Sequence, residues 1–171
     1  MAQSHCFRRE AGSAGRESKG LYRVHQFSKI ELFQLVKPEN SEAALEDILA
    51  VEETIYQQLE LPYRVVRICA GDLGNAAYKK YDIEAWMPGR ESDEKYGEVT
   101  SASNCTDFQS RRLNIRYRGE DNKKIHPYTL NGTAIAISRT LMAILENYQQ
   151  KDGSILVPQV LRPYVGKEVI S

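Results

Sequence analysis

Cysteine is scarce in this chain. Its three cysteines, Cys6, Cys69 and Cys105, cannot all pair internally and none stands in a CxxC spacing. A disulfide framework is therefore excluded, and reduced, mostly buried thiols in a cytosol-like compartment are expected. An excess of charge of one sign is also missing, since 23 Lys and Arg balance 23 Asp and Glu. No global field points at nucleic acid or membrane, although a local basic patch would be enough for a nucleic acid. No apolar run approaches the length of a spanning helix, and no basic-then-apolar signal sequence is recognisable after Met1. Internal repeats, low-complexity tracts and interdomain linkers are lacking as well. What is there is 171 residues, enough for one domain with a buried core. The expectation is a cytoplasmic protein with no membrane association.

Punctuation and periodicity divide the chain into elements. The first ten residues read as a short strand, and Ala11–Gly20 (AGSAGRESKG) as a loop of small, polar and charged residues. Leu21–Lys37, rich in Val, Ile, Phe and Tyr, predicts a long strand. Asn40 and Ser41 offer N-caps for a helix in which Leu45, Ile48, Leu49, Ile55 and Leu59 recur at helical spacing until Pro62. Further strands are expected at Arg64–Cys69, Asp82–Met87, Glu98–Ser103, Asn114–Tyr117 and Pro127–Leu130. A second helix is predicted from about Thr133 to Gln149, with Ile137, Leu141, Ile144, Leu145 and Tyr148 toward the core. Pro158 and Pro163 mark an irregular tail. Many strands and only two long helices favour an α+β fold, an antiparallel β-sheet flanked by helices.

The chemistry concentrates on the long predicted strand. Side chains alternate faces, so Arg23, His25, Phe27, Lys29 and Glu31 share one face if no bulge intervenes. Arg23, Phe27 and Glu31 then form a ladder of cation, aromatic ring and anion over about 26 Å, a scale suited to a nucleotide and a second substrate. Val24, Ile30, Leu32 and Val36 occupy the other face and suit a core. A solvated edge strand would look the same. Arg8 and Glu10 likewise share a face on the preceding strand, with a surface ion pair as the plain alternative. Arg111, Arg112, Arg116 and Arg118 read either as solvated strand faces or as a basic footprint. His25 and His126 read as hydrogen-bonded residues rather than catalytic ones.

The stretch FRREAGSAGRESKGLYRVHQFSKIE, residues 7–31, resembles motif 2 of the class II aminoacyl-tRNA synthetases. Its HQF followed by K-x-E resembles the seryl-tRNA synthetase family in particular. NGTAIAISRTLMAILENYQ, residues 131–149, resembles the seryl form of motif 3. GDLG around Asp72, YDIEAWMPG, EVTSASNCTDFQSRRLNIRYR and the tail VPQVLRPYVG match that family in order and spacing. Agreement over nearly all of residues 1–171 is far more specific than one short motif. The resemblance implies a fragment of the class II catalytic core, without the family's N-terminal tRNA-binding coiled coil, its motif 1 or its Thr-containing serine loop. GDLG is followed by Asn75 and Ala76, where the family often has an aromatic residue.

The resemblance implies a serine–tRNA ligase using serine, ATP, Mg²⁺ and tRNA(Ser), with a homodimer expected for the full-length protein. Arg8 would hold the α-phosphate and Arg23 the γ-phosphate, with Arg139 as a further clamp. Arginine suits this role because its planar fork stays charged and donates two hydrogen bonds to an oxyanion. Phe27 would lie under adenine, with Arg139 on the other side. Glu98 and Ser101 would present oxygens to Mg²⁺. Being three apart they fall on opposite faces of a regular strand, so sharing an ion requires a twist or bulge. Glu31 would pair with the serine ammonium, Asn131 and Thr133 would meet its hydroxyl, and Glu10 would help fix the activated substrate. The loop Ala11–Gly20, with Arg16 and Lys19, is a candidate contact for the tRNA acceptor end. The ordinary NGT form of motif 3 argues against the zinc used by an unusual branch. Rivals are an aminoacyl ligase for a carrier protein and a non-catalytic synthetase-derived binding protein. The chain alone is expected to be weakly active or inactive and to expose a sheet edge.

Overall fold

The architecture rests on strand pairings closed around one long helix, as seen in a computed structural model that describes residues 1–10, 20–90 and 94–171. β1 (Ala2–Phe7) pairs antiparallel with β2 (Gln26–Val36), from Ala2 opposite Glu31 to Phe7 opposite Gln26. Next come α1 (Ser41–Gln58), β3 (Tyr63–Arg67), β4 (Lys79–Trp86) and β5 (Tyr96–Asn104). A short α2 (Phe108–Arg112) and a hairpin of β6 (Tyr117–Arg118) and β7 (Lys124–Ile125) lead into β8 (Tyr128–Ala136) and α3 (Ile137–Tyr148). β9 (Ile155–Leu156), α4 (Arg162–Val165) and β10 (Val169–Ile170) follow. Among the described residues six strands form one antiparallel sheet in the order β1-β2-β8-β5-β4-β3. The α+β expectation holds.

The apolar stripe of α1 closes the core. Ala44, Leu45 and Ile48 pack with Ala102 of β5 and Leu130 of β8, joined by Leu32 and Val36 of β2. Further along, Leu49, Tyr56 and Leu59 join Ile83, Ala85, Val99 and Ala143 of α3. Burying each large side chain of this kind contributes about 1.5–3 kcal/mol. α1 ends in a Schellman closure: Leu61 N–H donates to the Tyr56 carbonyl (3.2 Å) and Glu60 N–H to that of Gln57 (3.0 Å). Glu60 takes the left-handed position, φ 52, that glycine usually fills.

Several expectations are corrected. The long strand starts at Gln26, so Arg23 and His25 lie in the preceding turn and not on a continuous ladder with Phe27 and Glu31. β8 runs on to Ala136, so Asn131 and Thr133 belong to a strand, and the helix begins only at Ile137. Pairing with β5 reaches only Gly132, but pairing with β2 continues to Ala136 and overrides the helical pattern read there. In α3 the buried residues are Thr140 and Ala143, whereas Ile137, Leu141 and Leu145 are 42%, 43% and 36% exposed. Ile144 and Tyr148 do reach the core. The expected strand over Asn114–Tyr117 is replaced by the turn after α2 and the start of β6, and Arg111 and Arg112 lie on α2. The tail is more ordered than expected, with α4 and the β9–β10 pair. Of the cysteines only Cys105 is buried; Cys6 is half-buried and Cys69 exposed. The loop expectation for Ala11–Gly20, Arg16 and Lys19 included, falls outside the described residues except at Gly20.

Candidate active site

Two β-bulges shape the cleft. On β5, Glu98 stands opposite Glu84 and Thr100 opposite Ile83, so Val99 is an extra residue. Ser101 then stands opposite Asp82, two positions from Glu84, which returns Glu98 and Ser101 to one face. On β8, Thr133 pairs with Glu31 and Ile135 with Ile30, so Ala134 is extra. The bulges are tied together, because the Thr100 hydroxyl donates to the Thr133 carbonyl. A cleft of about 730 Å³, partly open to solvent, lies over this region.

One end of the cleft is built from arginines and rings. Arg8, just beyond β1, puts its guanidinium 5.3 Å from the centre of the Phe27 ring. Arg23 donates to Glu10 at 2.8 Å, and Glu10 itself sits at φ 54, a costly conformation for a residue with a side chain. In the first turn of α3, Arg139 lies 4.5 Å over the Tyr22 ring. It donates to the Glu98 carbonyl (2.9 Å) and the Tyr22 carbonyl (3.3 Å), and its guanidinium is 3.3 Å from the Glu98 carboxylate.

The other end is a half-buried carboxylate nest. Glu31 accepts from the Asn131 amide (3.2 Å) and the Thr133 hydroxyl (3.1 Å), and Lys29 pairs with it at 2.7 Å. All three partners share the face of Glu31 through ordinary alternation along β2 and β8, so a charge-assisted network holds one carboxylate in place. Thr133 also lines the cleft; Glu31 and Asn131 stand behind it. Along the same face Asp82 is buried, and burial pushes its carboxyl up to about 6. The nearby Glu98 adds to that shift, and Lys80, 3.0 Å away, opposes it.

The structure thus gathers Arg8, Glu10, Arg23, Phe27, Glu98, Ser101, Thr133 and Arg139 around one cleft, with Glu31 and Asn131 adjoining. Arg111 and Arg112 do not line it. His25 bonds the Arg8 carbonyl at 3.2 Å and His126 the Ile115 carbonyl at 2.8 Å. Sequence reasoning gave no role to Tyr22, Lys29, Thr100 or Glu52. The last carried a readable signal, a carboxylate on the apolar stripe between Ile48 and Tyr56. No group of three or more His, Cys, Asp or Glu able to hold a metal occurs among the described residues. No helix in them is long and apolar enough to cross a membrane.

An antiparallel sheet carrying its arginines and carboxylates on one bulged face is the arrangement of a nucleotide-using synthetase core. Residues 1–148 match the class II tRNA synthetase core domain family (G, H, P, S and T), and the chain belongs to that family. Within it, the chain is 62% identical over 167 residues to the serine–tRNA ligase of Rubrobacter xylanophilus, which covers 98% of this chain and 39% of the relative. It is similar to the seryl-tRNA synthetase of Pyrococcus horikoshii complexed with ATP, with TM-score 0.92, 56% identity, and 98% of this chain and 37% of that one covered. The cytoplasmic serine–tRNA ligase of Naegleria fowleri in complex with AMP gives the same TM-score, 0.92, at 46% identity, covering 99% of this chain and 39% of that one. The chain spans about two fifths of the length of these relatives.

Proposed function

We propose that this chain is the ATP- and serine-binding part of a serine–tRNA ligase. The observation that carries the reading is the Glu31 carboxylate, held by Asn131 and Thr133 beside a cleft lined by three arginines. Glu31 suits an ammonium group, and Thr133 and Asn131 suit a hydroxyl. A site that hydrogen-bonds an OH rejects analogues lacking it by about 10⁴-fold, because its polar groups would be left unpaired. Arg8 and Arg23 would hold the α- and γ-phosphates, with Arg139 as a further clamp and Glu10 fixing Arg23 and the activated product. Phe27 offers its ring to adenine, a stacking worth about 1–3 kcal/mol.

Glu98 and Ser101 would supply the protein oxygens for the Mg²⁺ that accompanies ATP. The fit is supported by their shared face, since Mg²⁺ takes one or two protein oxygens and fills its shell with phosphate and water. The ion would neutralise phosphate charge. A serine carboxylate oxygen bonds to the α-phosphorus and the bond to pyrophosphate breaks. The terminal ribose hydroxyl of tRNA(Ser) then takes the seryl group and AMP leaves. No protein nucleophile is needed; positioning and charge compensation by Arg8, Arg23 and Arg139 do the work.

The intact protein would act in the cytoplasm, as the Naegleria relative's description supports, and as a homodimer. β1, outermost in the sheet and largely exposed, offers an edge for further strands. This segment alone would charge tRNA weakly or not at all. ATP–pyrophosphate exchange against a panel of amino acids tests the reading. Serine-dependent exchange with transfer to tRNA(Ser) is expected of the intact protein. Exchange with transfer only to a carrier protein, or no exchange at all, would overturn it in favour of a carrier ligase or a binding protein.

A further inference from the structure

The polar group least accounted for is Glu52 of α1. It is fully buried, and among the described residues neither of its carboxylate oxygens has a hydrogen-bond partner. It lies under the sheet, on the side opposite the cleft, directly beneath Gly132 of β8. A Cβ on Gly132 would stand 2.5 Å from Glu52 Oε1 and collide with Ile48. Gly132 separates Asn131 from Thr133, the two residues that hold Glu31. The height of this segment over α1 is therefore set by the side chain below it.

We propose that Glu52 is a positioning residue for the amino-acid end of the cleft: packed beneath Gly132, it sets how β8 presents Asn131 and Thr133 to Glu31. Three charges act on it through the sheet, Lys29 and Glu31 of β2 and Asp82 of β4, and β5 brings the Thr100 side chain to it. On α1 itself Tyr56 lies one turn away, its hydroxyl 3.0 Å from that of Thr140 on α3. Two of the charges are carboxylates, so a second anion under the sheet would repel Glu31 from below. Burial above all, with these carboxylates adding to it, pushes the Glu52 carboxyl up to about 8 against the opposing effect of the Thr100 side chain.

The consequence runs through Thr100. A threonine has one O–H to donate, and here it goes to the Thr133 carbonyl, joining the two bulges. An ionised Glu52 would compete for that proton. Once it is lost, the Thr133 segment loosens while the arginine end, anchored through α3 and β1, does not. The effect should therefore fall on serine and not on ATP.

This inference rests on the proposed serine-activating function, and its test separates the two. Serine-dependent ATP–pyrophosphate exchange is measured on the intact protein from pH 6.5 to 9, with KM for serine and for ATP determined separately. No exchange in the unmodified protein sinks the functional reading itself. Given exchange, the unmodified protein should show KM for serine rising several-fold more across this range than Glu52→Gln does. Glu52→Gln keeps the shape without the ionisation. Glu52→Ala should raise KM for serine about tenfold at pH 7 with KM for ATP within twofold. Superimposable pH profiles for the unmodified protein and Glu52→Gln would overturn the proposal, as would equal rises in both KM values for Glu52→Ala. If Glu52→Ala does not fold, the Glu52→Gln comparison decides alone.

Discussion

Glu98 and Ser101 face the same side of the sheet although three positions separate them, because Val99 is an extra residue opposite β4. The bulge aims two oxygen-bearing side chains at one cleft. It also leaves the Glu98 carbonyl available to Arg139, which bonds it at 2.9 Å while lying 3.3 Å from the carboxylate of the same residue. Arg139 thereby joins α3 to β5 and to Tyr22.

Arg139→Ala should lower kcat/KM for serine-dependent exchange by about 10²–10³, the usual loss for one preorganised charge donor. Arg139→Lys should recover little, because a point charge cannot span the carbonyls of Glu98 and Tyr22 together. Steady-state exchange kinetics with ATP as the varied substrate check this. Full activity in the lysine variant would show that only charge matters.

Glu31→Gln should raise KM for serine by about 10²-fold and leave KM for ATP within about twofold, since the neutral amide loses a charge-assisted contact of about 1.5–3 kcal/mol with an ammonium group. It also leaves Lys29 without its 2.7 Å partner. Exchange assays varying serine and ATP in turn distinguish this from a global defect, which would raise both values.

Glu60→Gly should stabilise the protein by about 0.5–1 kcal/mol, because Glu60 holds the left-handed turn after α1 at φ 52. The more flexible unfolded chain offsets part of that gain. Chemical denaturation at pH 7 measures it. A midpoint below that of the unmodified protein would show that the Glu60 side chain supplies more than its backbone strain costs.

Glu52 predicts a pH dependence with a definite sign. Its carboxyl is raised from 4.5 to about 8, so between these values the unfolded chain has lost a proton that the folded chain keeps. Stability therefore falls as pH rises through this window and levels off above it, a change of a few kcal/mol. Glu52→Gln removes the dependence. Its melting temperature should match that of the unmodified protein near pH 4.5 and exceed it by several degrees at pH 8. Asp82, raised to about 6, titrates in both proteins and cancels in the comparison.

Much of this was legible along the chain. The α1 stripe of Leu45, Ile48, Leu49 and Leu59 is buried as its spacing implies. Alternation in β2 puts Leu32 and Val36 against α1 and leaves Glu31 on the other face. α3 misled because its apolar residues outnumber the positions that touch the core. Leu141 and Leu145 carry the pattern yet stay exposed, while Thr140 and Ala143 are the fully buried positions, selected by the placement of α3 against Tyr56. β8 misled because Thr133–Ala136 is ambiguous locally and is made strand by its pairing with β2.

Residue types alone set the composition of the site: arginines, a ring and carboxylates, in motifs whose order is that of one synthetase family. Side-chain chemistry is a property of residues and survives without a fold. Tertiary structure alone decided which of them meet. The bulges at Val99 and Ala134 exist only in strand pairs, because an extra residue is extra only relative to a partner. The same holds for Glu52, a surface-type residue by identity. It became a buried acid when α1 closed under Gly132, because burial belongs to the neighbours and not to the residue.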